Sequence, residues 1–119
     1  MKIPGPDHPI TIAPQPKRAR AYFQGRLIAD STEALTLTEA SYGPVTYFPR
    51  ADVVMEALSR TDHHTHCPYK GEASYYSLIG EGGGATNAVW TYEDPFPAVA
   101  RIKDALAFYP NHVRVEIEA

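Results

Sequence analysis

Eleven prolines and eight glycines are scattered through 119 residues, leaving few windows long enough for an extended helix. Between these breaks lie short apolar alternations and aromatic runs, the pattern of strands joined by tight turns. A mainly β fold with two short helices is therefore expected. The length is the common one for a single domain, residues 1–119, and is enough to bury a core without a metal or disulfide. Apolar residues make up 44% and charged residues 21%, as in ordinary globular chains, so wholesale disorder is not expected.

A formal charge of -3 supplies no basic footprint for nucleic acid or an anionic membrane surface. No apolar run reaches the roughly 18 residues a spanning helix needs. With one cysteine there is no disulfide within the chain, and no apolar stretch near Met1 reads as a secretory signal, so a cytoplasmic location is expected.

Residues 1–16 carry five prolines and read as an extended arm, lying across a sheet or a neighbouring subunit and so offering a route to a homo-oligomer. Arg18 to Phe23 and Arg26 to Asp30 flank Gln24-Gly25, a two-residue hairpin turn. Leu35 and Leu37 alternate with threonines as a third strand, giving a meander. After the Tyr42-Gly43-Pro44 turn, Val45 to Phe48 reads as a fourth strand. A helix is expected next, with Asp52 as its cap and Val53, Ala57 and Leu58 on one face. Ala73 to Ile79 and Ala88 to Tyr92 read as strands around the tip Gly80 to Gly84. Asp94-Pro95-Phe96-Pro97 opens a second helix with Val99, Ile102 and Leu106 as its buried stripe. Ala107 to Tyr109 and Val113 to Ile117 close the chain as two strands around Pro110-Asn111.

The stretch Thr65 to Tyr76 packs the only cysteine, a lysine before a glycine, and three tyrosines into twelve positions. Together with Tyr47-Phe48-Pro49-x-x-Asp52-Val53, Trp90-x-Tyr92-x-x-Pro95 and Ala107-Phe108-Tyr109-Pro110, the block Cys67-Pro68-Tyr69-Lys70-Gly71-x-Ala73-x-Tyr75-Tyr76 resembles the bacterial domain of unknown function family 427. The resemblance runs from His8-Pro9-Ile10 almost to the C-terminus. It implies a small β-rich domain, meander-like, tent-like or barrel-like, akin to tent-shaped folds that often carry zinc, and no established activity. A nucleotidyltransferase label attached to the family finds no support in the residues. There is no Asp-x-Asp pair for cations, and Gly80 to Gly84 lacks the Lys-Ser/Thr and helix start of a phosphate cradle.

Cys67 is a candidate nucleophile if His63, His64, His66 or Lys70 lowers its pKa; otherwise it is a buried thiol packing as a small hydrophobe. His63, His64 and His66 with Cys67 put no more than two ligands on either face of an extended segment, too few for structural zinc, so no metal and no cofactor is expected. Tyr69, Tyr75, Tyr76, Trp90, Tyr92 and Tyr109 either fill a small core or line a pocket. Trp90 and Tyr92 share a strand face, whereas Tyr75 and Tyr76 point oppositely, so one of them at most joins that wall. Lys70 is either an exposed turn residue or an ammonium over the pocket mouth. The residues point to a binding module whose aromatic cleft, formed by Cys67, Tyr69, Lys70, Tyr76, Trp90 and Tyr92, takes a small polar or planar ligand. The alternatives are an enzyme with Cys67, Lys70 and Tyr76 as catalytic groups, and a structural or assembly domain built on the arm.

Overall fold

Period-two alternation sets most of the backbone. In the computed structural model, which describes residues 1–119, ten strands form three open antiparallel sheets with no closed barrel. The first sheet has the order β1 (Ile10–Pro14), β4 (Leu35–Glu39), β5 (Val45–Tyr47); the second β10 (Arg114–Ile117), β2 (Ala19–Phe23), β3 (Arg26–Ser31). The third runs β6 (Leu58–Cys67), β7 (Gly71–Leu78), β8 (Ala85–Thr91), β9 (Leu106–Phe108). The hairpin at Gln24-Gly25 forms as expected, both residues adopting positive φ, 51° and 81°, so that the turn follows the strand twist.

The expected meander does not form, because β4 leaves β3 and pairs with β1 and β5 instead. Its apolar side, Leu35 and Leu37, joins Ile10 and Ile12 across β1 and Val45 and Tyr47 across β5, making one continuous inner face. Nor do the last two strands form a hairpin: β9 pairs with β8 and β10 with β2. The alternation of β10 is not matched by burial, since all four of its residues are exposed along an edge.

Neither expected helix forms. Arg50–Asp52 and Met55–Ala57 are single 3-10 turns separated by extended backbone at Val53, where two consecutive β-branched residues disfavour a helix. Val53 bridges Ala29 of β3, and the Val54 N–H donates to the Ile28 carbonyl at 2.8 Å. Asp52 caps nothing; its carboxylate accepts the Ser31 hydroxyl at 2.7 Å. Pro97–Ile102 is likewise 3-10, interrupted at Val99, and Leu106 belongs to β9. Phe48 and Leu106 exchange backbone hydrogen bonds, both 2.8 Å, which join the first sheet to the third.

The third sheet partitions the core. On one face Leu58, Tyr76, Leu78, Val89, Leu106 and Phe108 pack against β2 and β3; on the other Ala73, Tyr75, Tyr92 and Ala107 pack against Leu37 and Tyr47 of the first sheet and Val99 and Ile102. The strand parity of β7, in which Tyr75 and Tyr76 face opposite ways, decides which aromatic goes to which side.

Candidate functional site

Where the inner face of the first sheet meets the third sheet, apolar packing is incomplete and a hollow of about 270 Å³ remains. The first sheet and its following turn contribute Leu37, Glu39, Tyr42, Gly43, Val45 and Tyr47; the third contributes Lys70, Tyr75, Trp90, Tyr92 and Tyr109. Six aromatic rings thus surround one ion pair.

That pair follows from parity. Glu39 continues the series Leu35, Leu37 on the buried side of β4, so its carboxylate is turned inward and is only 13% exposed. Lys70, 12% exposed, donates to it from across the hollow, and His8 Nε2 donates to its second oxygen at 2.8 Å. Burial alone would raise the Glu39 pKa, but the hydrogen bonds and charges of Lys70 and His8 outweigh it and hold the carboxyl below its ordinary value. The Lys70 ammonium also lies 6.0 Å from the centre of the Tyr92 ring.

The aromatic wall is ordered by its polar tips. Trp90 Nε1 donates to the Tyr47 hydroxyl at 3.2 Å with the rings edge-on, and Tyr109 lies 4.6 Å from the indole. Tyr75 links to Thr65 at 2.9 Å and to Tyr109 at 3.4 Å through its hydroxyl. Burial pushes the phenols of Tyr47 and Tyr92 well above the usual range and, with the Tyr75 hydroxyl, raises Tyr109 to about 12. These phenols therefore keep their protons and act as donors, while Glu39 is the one carboxylate in the lining.

Of the residues singled out in the sequence, Lys70, Tyr75, Trp90, Tyr92 and Tyr109 come together here. Cys67 ends β6 half-buried against the apolar cluster on the same face, outside the lining. Tyr69 stacks on His8 at 4.0 Å, beneath the arm, and takes no part in the hollow. Tyr76 projects from the opposite face of the sheet, where its hydroxyl accepts from Arg50 and Arg60, so Cys67, Lys70 and Tyr76 do not converge. Its neighbour Tyr75 joins the wall instead. Glu39, Tyr42 and Tyr47 escaped sequence reasoning, although the parity of Leu35, Leu37 and Glu39 was a signal for the first of them.

His66 pairs with Glu72 at 2.7 Å, His63 sits edge-on to Tyr75, and nowhere do three or more His, Cys, Asp or Glu side chains gather as metal ligands. The residues present do not fit a resident zinc or the cation pair of nucleotidyl transfer.

The fold and its side chains define a small all-β domain built on open antiparallel sheets, with an aromatic cluster between the first and third. The chain belongs to the domain of unknown function family 427 (DUF427), whose family model, labelled as a nucleotidyltransferase, matches residues 11–119. No curated protein matches it. No helix is long and apolar enough to cross a membrane.

Proposed function

We propose that the protein is a binding module that takes a small planar, polar ligand between Trp90 and the tyrosines of the hollow. The observation that carries this reading is the meeting of six aromatic rings and a buried Glu39–Lys70 pair around a hollow of about 270 Å³. Flat apolar faces suit a planar ring, and the protonated phenols with the Lys70 ammonium suit a ligand rich in acceptor oxygen or nitrogen atoms. With its lone thiol free, the protein fits work in the cytoplasm.

Trp90 is the only tryptophan, so its emission reports on the hollow directly. Titration with nucleosides, sugars, phosphates and methylated amines, paired with thermal shift, should single out planar heteroaromatic compounds that quench Trp90 saturably and raise Tm. Tyr109→Ala, at a position 37% exposed, should weaken such a compound about tenfold with little loss of stability. Cys67→Ser should bind as the parent does. Trp90 emission that no planar compound changes saturably would overturn the reading.

A further inference from the structure

On the face of the third sheet away from the hollow, Arg50 holds a guanidinium whose hydrogen bonds all go to neutral acceptors. Its Nε donates to the Asp104 carbonyl at 3.1 Å, Nη1 to the Tyr76 hydroxyl at 3.1 Å and Nη2 to the Thr91 hydroxyl at 3.3 Å. Thr91 is fully buried, so the fork stands on a rigid floor. A second guanidinium, that of Arg60, converges on the same phenol, with Nη1 3.4 Å from the Tyr76 oxygen. Arg50 and Arg60 lie 5.8 and 5.7 Å from the centre of the Tyr76 ring. One carboxylate serves both: Glu93 binds Arg60 through two contacts of 2.8 Å and stands 3.9 Å from Arg50.

Both guanidiniums are permanently charged, so a single carboxylate leaves one positive charge in excess. Bringing two like charges onto one hydroxyl is unfavourable, and a purely structural clamp for the Arg50 turn would not need the second. Because the Tyr76 oxygen accepts from both arginines, its own proton is left to donate outward. Arg50 already has three of its N–H groups engaged, which orders the side chain in advance and leaves the rest of its donors for a ligand.

We propose that Arg50, Arg60 and the Tyr76 hydroxyl form a second binding site, for a dianionic tetrahedral oxyanion such as a phosphoryl group, with Glu93 as the internal carboxylate that ligand displaces. A dianion neutralises both guanidiniums where Glu93 neutralises one, and it presents oxygens in several directions to donors that approach from several directions. The site is independent of the hollow, which lies across the sheet.

The test is an amide-shift titration of the whole chain with inorganic phosphate, at constant ionic strength and at a pH where phosphate is mainly dianionic. Acetate serves as the monoanion control. Saturable shifts are expected at Arg50, Arg60, Tyr76, Thr91 and Glu93, with Trp90 emission unchanged. Glu93→Gln, at a side chain 37% exposed, should tighten phosphate about tenfold by removing the competitor. Arg50→Met should abolish the response; should that variant fail to fold, Arg60→Met, at a side chain 48% exposed, should weaken phosphate at least tenfold. Shifts scattered over unrelated basic residues, an affinity that Glu93→Gln leaves unchanged, or acetate binding as tightly as phosphate would each overturn the proposal.

Discussion

At Glu39 a carboxylate is carried into an apolar face because it sits two residues beyond Leu37 on the same strand, and the fold accepts it by supplying Lys70 and His8. Breaking such a pair leaves the surviving charge without its partner, and that loss outweighs the direct value of the contact. Its folded pKa lies below its ordinary value of 4.5, so the stability it contributes is present above that pH and is lost as pH falls through the lowered value. Glu93, held down by Arg60, adds to the same acid limb, more weakly because it is more exposed. We expect Glu39→Gln to destabilise the protein by about 2 kcal/mol at neutral pH and to flatten the decline of stability below about pH 4.5. Urea midpoints of parent and variant measured across pH check this; an unchanged acid limb would remove Glu39 from the account. At this scale the sequence was partly legible. Trp90 and Tyr92 share a strand face by parity alone, whereas choosing Tyr75 over Tyr76 needed to know which side of β7 meets the first sheet. Arg50 and Arg60 went unremarked in the sequence, because nine intervening residues pass through two 3-10 turns before both side chains reach one phenol.

Among the elements, what is local was readable and what is long-range was not. Gln24-Gly25 specifies its hairpin with two residues, while the partner of β4 depends on Ile10 and Val45, on either side of it in sequence, and that of β10 on Ala19 and Ala21 far earlier. The periodicities at Val53, Ala57 and Leu58 and at Val99, Ile102 and Leu106 looked helical because paired 3-10 turns also bring every third or fourth side chain to one side. Two glycines hold turns at positive φ, and one of them, Gly71, follows the Lys70 that reaches the hollow. Gly25 has φ +81° with open space around it, so Gly25→Ala should cost about 1 kcal/mol through backbone strain alone. Gly71 has φ +109°, and an added Cβ would also lie 3.4 Å from the Asp94 carbonyl oxygen, so Gly71→Ala should cost about 2 kcal/mol and loosen the turn that carries Lys70. Chemical denaturation of both variants should preserve this order. The arm acts as a third local element. Lys2 donates its backbone N–H to the Pro68 carbonyl at 2.7 Å and His8 stacks on Tyr69, so the arm covers its own chain's turn. Deleting residues 1–9 spares β1, and it should lower Tm by a few degrees without changing the number of subunits per particle in solution. A particle that loses subunits on deletion would mean instead that the arm joins them.

For the molecule as a whole, the third sheet is the partition on which both apolar clusters rest, and neither cluster can lose its backing without exposing the other. Tyr75 and Tyr76, or Val89 and Trp90, are adjacent on one strand yet contribute to opposite sides, so the backbone hydrogen bonds of β7 and β8 are shared by both. The exchange between Phe48 and Leu106 ties the first sheet to the same partition. Unfolding should therefore be one cooperative event, although Trp90 reports from only one side. Leu78→Ala makes this quantitative. Leu78 is 2% exposed and faces the cluster away from Trp90, so its truncation should cost about 3 kcal/mol through lost burial and the cavity left behind. If the partition couples the two sides, the urea midpoint of this variant read by Trp90 emission falls as far as that read by far-UV circular dichroism, and the two curves superimpose. If Trp90 keeps the parent midpoint while the dichroism becomes biphasic, the clusters melt separately and the hollow belongs to an independently stable half.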